Sequence, residues 1–158
     1  YGLVGDIQAI DPWVLRQLLD AGAIPIVSPI SANDQGTLLN VNADSVAAAL
    51  AVALGAEKLV LVMEAAGLLE NLADPRSLIS YVDLAGLRRM REAGKIADGM
   101  LPKAAAIEKA LEGGVARAHM VSSQTPDSLL VEIFTNEGSG TLIVPELTRL
   151  APDEQEAE

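Results

Sequence analysis

Apolar positions along the chain fall into short unbroken runs separated by stretches with helical spacing. Residues 24–30 (IPIVSPI) and 58–63 (KLVLVM) are apolar except at Ser28 and Lys58 rather than alternating, which predicts buried strands. Residues 116–121 (ARAHMV) and 138–144 (GSGTLIV) read as two more, the last entered through a glycine turn. SLISYV at 77–82 is a less strongly patterned strand, 38–41 is short and extended, and 2–10 is extended with Val4, Ile7 and Ile10 as its apolar marks. Helices are predicted between these runs. Asp11-Pro12 opens one through Trp13, Leu15, Leu18 and Leu19 to Gly22. Asn42 caps DSVAAALAVAL, which Gly55 stops. Asp83 caps a helix carrying Leu84, Leu87 and Met90, ended by Gly94. Asp98 opens another, with Met100, Ala104, Ile107 and Leu111 on its apolar face and Gly113-Gly114 at its end. Thr125-Pro126 starts the last, with Leu129, Leu130, Ile133 and Phe134 as a core stripe.

This alternation predicts an α/β fold, with a largely parallel sheet and helices on both faces. Neither an internal repeat nor a linker interrupts it. Residues 1–150 therefore read as one unit, and 151–158 (APDEQEAE) as an acidic, frayed tail. With 50% hydrophobic but only 3% aromatic residues, the core must be aliphatic. The formal net charge of −11 argues against non-specific binding to nucleic acid or an anionic membrane face, while leaving room for an anion in a local basic pocket. The absence of cysteine excludes disulfides, thiolate metal sites and a cysteine nucleophile. A single histidine, His119, excludes a multi-histidine metal site. No run approaches the ~18–20 apolar residues of a membrane span, and no signal-like segment opens the chain, so a soluble cytoplasmic protein is expected. The chain starts at Tyr1 and runs straight into apolar sequence, as a fragment would.

Five places could carry chemistry. Asn40, Asn42 and Asp44 sit at a strand-to-helix junction, where open α/β sheets bind ligands. The bland alternative is a cap, with Asp44 favouring the helix dipole. Asp98-Gly99-Met100-Leu101-Pro102-Lys103 opens a helix whose free N–H groups suit an anion. A lysine in that first turn opposes the dipole unless an anion, such as phosphate, lies between; a tolerated surface lysine is the alternative. The small residues of Glu64 to Leu69, after a buried strand, allow a flat ring to pack on the backbone or simply make a tight turn. His119 lies in an apolar strand and reads as a core histidine before a catalytic base. Gly138-Ser139-Gly140 lacks the remainder of a phosphate loop and reads as a turn.

Eight segments, taken in order, resemble the C-terminal half of the N-acetylglutamate kinases, within the amino acid kinase family. They are VGDIQAIDP (4–12), AIPIVSPI (23–30), NVNAD (40–44), ALGAEKLVLV (53–62), AAGLL (65–69), ADGMLPK (97–103), ALEGGVARAHMV (110–121) and EIFTNEGSGTLI (132–143). The resemblance implies the carboxyl half of a carbamate kinase-like fold. It also implies transfer of the γ-phosphoryl of ATP, carried with Mg²⁺, to the side-chain carboxylate of N-acetyl-L-glutamate in arginine synthesis. By this likeness Lys103 stabilises the transferring phosphoryl group, Asp44 positions the catalytic lysines, and Asn40 and Asn42 lie on the substrate side. Glu64, Ala65, Ala66, Gly67, Leu68, Leu69, Lys95, Ile96, Ala97, Gly99 and Met100 surround the nucleotide. Glu137 and Gly138 are candidates for an effector site taking arginine as inhibitor. Homo-oligomers are expected of the full-length enzyme.

Two departures stand out. The family has Thr or Ser and then Asp after its nucleotide strand, where this chain has Met63-Glu64. The resemblance also leaves out the family's N-terminal half, with its glycine-rich loop, second catalytic lysine and most of the acceptor pocket. Alone, the chain is expected not to turn over N-acetylglutamate efficiently. The alternatives are a related kinase acting on another carboxylate and a non-catalytic fragment that binds nucleotide or effector.

Overall fold

A computed structural model describes residues 2–74, 76–135 and 138–147. Helix α1 spans Trp13–Asp20, and the Asp11 carboxylate accepts a hydrogen bond from the Trp13 amide at 3.0 Å. Strands β1 (Ile30–Ala32) and β2 (Leu38–Asn40) pair antiparallel across a turn fastened by Asn33, whose side-chain oxygen accepts from the Gln35 and Thr37 amides. Helix α2 (Ala43–Leu54) is capped by Asn42, whose side-chain oxygen accepts from the Ser45 amide at 3.0 Å. Strand β3 (Lys58–Met63), strand β4 (Tyr81–Asp83) and helix α3 (Leu84–Glu92) follow, α3 capped by Asp83. A 3₁₀ turn, Asp98–Met100, leads into α4 (Leu101–Glu112), then β5 (Arg117–Ser122), α5 (Ser128–Phe134) and β6 (Thr141–Val144).

The main sheet has the order β3-β5-β6-β4. β3 pairs parallel with β5 and β4 parallel with β6, while β5 and β6 run antiparallel. The expected largely parallel α/β sheet is therefore present, with one reversed pairing at its centre. Ala118, Met120 and Ile143 point to one face and share a core with Leu87 of α3 and Ala104, Ile107, Ala110 and Leu111 of α4. His119 points to the opposite face and meets Glu132 of α5. β5 thus has helices on both sides, whereas β3 is covered on one: Leu59, Leu61 and Met63 are buried, but Val62 is 54% exposed, so the expected buried strand is buried on one face only. Between α3 and α4, Arg88 reaches Glu108 and Glu112, and Arg91 reaches Glu108. Just before β6 the chain crosses β5 so closely that a β-carbon on Gly140 would lie 2.0 Å from the Met120 carbonyl oxygen.

Three expectations are corrected. Residues 24–30 do not form a buried strand: only Ile30 enters one, and Ile24 and Ile26 are 89% and 97% exposed. Pro25 and Pro29 have no N–H to give a ladder, and no neighbouring strand takes up the others among the described residues. Secondly, α5 does not bury Leu129, Leu130 and Phe134, the last 77% exposed. It turns Ser128 and Glu132 inward, because those two side chains meet hydrogen-bonding groups on the sheet. Thirdly, α5 begins at Ser128 rather than at Thr125-Pro126; the Ser128 amide closes a turn on the Thr125 carbonyl. The acidic tail at 151–158 lies outside the described residues, and no helix among those described is long and apolar enough to cross a membrane.

Candidate functional site

The connections α2→β3 and α4→β5 place two helix N-termini at one end of the sheet. Each helix packs against the strand it precedes and runs opposite to it. The starts of α2 and α4 therefore lie beside the carboxyl ends of β3 and β5. Ligands of open α/β sheets collect at this edge.

Asp44 in the first turn of α2 and Lys103 in the first turn of α4 meet there. The Lys103 ammonium donates to both Asp44 carboxylate oxygens at 3.0 Å. Both side chains are partly exposed, 24% for Lys103 and 18% for Asp44. The pair is thus held in place yet open to a ligand. A lysine in a first turn, disfavoured by the helix dipole, is stabilised by a carboxylate on the neighbouring helix. No side chain caps the 3₁₀ turn at Asp98–Met100, and a β-carbon built on Gly99 meets nothing within 4 Å. An anion can therefore approach the backbone beside Lys103.

The segment after β3 leaves the same edge. Glu64, Ala65 and Ala66 are exposed, whereas Gly67 and Leu68 are buried. The Ser122 hydroxyl donates to the Glu64 carbonyl at 3.3 Å, and the Leu68 amide donates to the Thr141 hydroxyl at 2.9 Å. The Leu68 carbonyl accepts from the Ile79 amide, and Leu69 bridges Leu78. Leu68 and Ile96 put their side chains into the core, so only their backbones face outward chemistry. Met100 is half-buried against that core. Lys95 and Ala97 are exposed; Lys95 lines a shallow pocket with Arg89 and Met90 along α3. Asn40 ends β2 and its backbone pairs with Leu3 and Gly5, while the Asn42 side chain serves as the α2 cap.

The structure thus gathers Asp44, Lys103, the 98–100 turn and the 64–68 loop at one edge of the sheet. It places Gly138 on the other face, in a cavity of about 160 Å³ also lined by Lys58, His119, Glu132 and Thr135. Glu137 lies outside the described residues. His119 is 3% exposed: its Nδ1 is 2.8 Å from Glu132, while its Nε2 is buried with no partner among the described residues. Burial pushes the Glu132 carboxyl up, but His119 and the Ser139 and Gly140 amides outweigh this and hold it below the ordinary range. His119 is legible from the sequence as a core histidine, whereas Glu132, Ser122 and Thr141 do not stand out in it. Their signal was a polar residue inside or at the end of an apolar strand or helix face. Among the described residues no three or more His, Cys, Asp and Glu side chains cluster to hold a metal ion.

Known proteins resemble the chain along most of its length. Residues 2–122 match the model of the amino acid kinase family. The acetylglutamate kinase of Myxococcus xanthus is 51% identical over 92% of this chain and 47% of its own length. The chain spans about half the length of the curated relatives it matches, 47%, 41% and 50% in three of them. The solved N-acetylglutamate synthase of Neisseria gonorrhoeae, complexed with coenzyme A and L-arginine, superposes with a TM-score of 0.83 at 31% identity, over 91% of this chain and 33% of that one. A Giardia carbamate kinase shares the fold, with a TM-score of 0.66 at 19% identity over 85% of this chain and 47% of its own.

Proposed function

Because the chain belongs to the amino acid kinase family, we propose that residues 1–150 are the nucleotide-binding half of an N-acetylglutamate kinase domain. The observation that carries this reading is the Asp44–Lys103 pair at the open edge of the sheet. ATP, with Mg²⁺ on its phosphates, supplies the phosphoryl group that passes to the acceptor carboxylate. Phosphoryl transfer asks a protein for positioning and for neutralisation of charge, not for a nucleophile. Lys103 provides a positive charge at a helix start, where backbone N–H groups add to it. Asp44 fixes that ammonium, and the lysine can keep one carboxylate contact while turning its other donors to a phosphoryl oxygen. The acceptor carboxylate is already ionised at neutral pH, so no general base is required. The 64–69 loop and residues 95–100 carry the nucleotide, and Asn40 and Asn42 face the amino-acid substrate.

Calorimetric titration with Mg-ADP tests the reading. The wild-type chain should bind, and Lys103→Ala should lose about 1.5–3 kcal/mol, roughly tenfold or more in affinity. Equal binding by the two proteins would remove Lys103 from the phosphate site.

An effector reading attaches to the second cavity. The Glu132 carboxylate and Gly138 line it beside the cations Lys58 and Arg117, a mixture of charges that suits a ligand carrying both a carboxylate and a positive charge, such as arginine. The arginine complex named for the solved N. gonorrhoeae synthase supports testing it. Arginine should shift the thermal unfolding midpoint of the wild-type chain upward, and less so in His119→Ala; no shift would exclude binding by this chain.

A further inference from the structure

The loop after β3 is fastened at both ends by side-chain hydroxyls from neighbouring strands. At its start, Ser122, the last residue of β5, donates to the Glu64 carbonyl and accepts from the Gln124 amide at 3.1 Å. At its end, Thr141, the first residue of β6, accepts from the Leu68 amide and donates to the Ile79 carbonyl at 2.7 Å. Both anchors are buried, Ser122 to 3% and Thr141 to 0% exposure. A β-carbon on Gly67 would lie 2.5 Å from the Thr141 hydroxyl oxygen, so the backbone rests directly on it. The apex between the fastenings, Glu64 to Ala66, stays exposed.

We propose that Ser122 and Thr141 are positioning residues for the nucleotide, two buried hydroxyls that hold the 64–68 loop in its binding shape before any ligand arrives. The inference rests on the reading of this loop as part of the nucleotide site. Small residues there have little side chain with which to hold a ring; the backbone must do so, and a backbone serves only if its course is fixed. A loop ordered in advance spares the ligand the entropy of ordering it. Neither hydroxyl reaches the Asp44–Lys103 pair, so their effect is on affinity through the loop and not on phosphoryl charge.

The test compares wild type with Thr141→Val, Thr141→Ser and Ser122→Ala, using Mg-ADP titration well below each protein's unfolding temperature. Valine keeps the volume of threonine and removes the hydroxyl; serine keeps the hydroxyl. Thr141→Val should bind Mg-ADP about tenfold more weakly, with Thr141→Ser restored to within about threefold of wild type. Rescue by serine separates positioning from bulk packing, because serine loses the methyl group and keeps the tether. If wild type and Thr141→Val bind alike, the tether proposal falls and the nucleotide site stands. If wild type itself fails to bind, the nucleotide reading fails and the proposal falls with it. Should Thr141→Val not fold, Ser122→Ala decides by the same titration: a weakening of several-fold supports the tether, and unchanged affinity overturns it.

Discussion

Residues 2–40 and 41–147 are equally rich in apolar side chains, yet they fold differently. In the first region no residue is buried: α1 has an empty buried face, and Trp13, Val14, Ile24, Ile26 and Val27 stand open. In the second, one core joins α2, α3 and α4 to the sheet, with Leu87, Ile107, Met120 and Ile143 sealed from solvent. The first region is held by backbone pairing of Val4, Gly5 and Asn40 and by Arg16 on the Ala53 carbonyl. The lesson is that an apolar run specifies a need for burial and not the means. β3 finds β5 beside it, and its neighbour helices above; IPIVSPI finds no surface among the described residues.

Substitutions can test this contrast. The largest effect should come from Ile107→Ala, which cuts a fully buried side chain and should cost about 2–5 kcal/mol in urea unfolding. Ile26→Ala should change stability by less than about 0.5 kcal/mol. A comparable cost at Ile26 would mean that the first region packs in solution.

Next comes a pair of glycines. Gly67→Ala must displace Thr141 or the loop and should cost about 1–3 kcal/mol. Gly36, with φ of 78° and open space around it, bears only the backbone penalty, about 1–2 kcal/mol. The two should separate further in Mg-ADP titration, where Gly36→Ala leaves binding unchanged.

The smallest effect is a pH dependence confined to the packed region. The Glu132 carboxyl is held below its ordinary value of 4.5 in the folded chain. Its stabilising contribution is therefore complete above that value and is lost as pH falls through the lower folded value. Thermal midpoints of wild type and Glu132→Gln should converge in acid and differ most near neutral pH. A gap that widens in acid would reverse the sign.

Much of the fold was legible. Cap and stop residues marked α2 and α3, since an Asn or Asp side chain that accepts a backbone amide is a local event. β5 was legible because its apolar run is covered on both faces within this chain, and β3 because Leu59, Leu61 and Met63 are buried on one, although Val62 on the other stays exposed. The α5 face was not. Leu129, Leu130 and Phe134 follow helical spacing, but the inward face is chosen by Ser128 and Glu132, through bonds to Ser122, His119 and Gly140 that helical spacing does not announce. At the site, the helix start at Lys103 was legible as an anomaly of charge against dipole. Its pairing with Asp44, 59 positions away, needed the packing of α2 on α4. The anchoring hydroxyls were hidden for the same reason, because a serine or threonine at a strand end reveals its partner only in three dimensions.

The crossing at Gly140 bears on how this chain can vary. With the Met120 carbonyl 2.0 Å from where a β-carbon would stand, even alanine forces two central strands apart. A saturation library sorted for folded protein should return glycine almost alone at position 140, while position 26 accepts most of the alphabet. The allowed vocabulary at each position would map the border between the two regions without any structure being consulted.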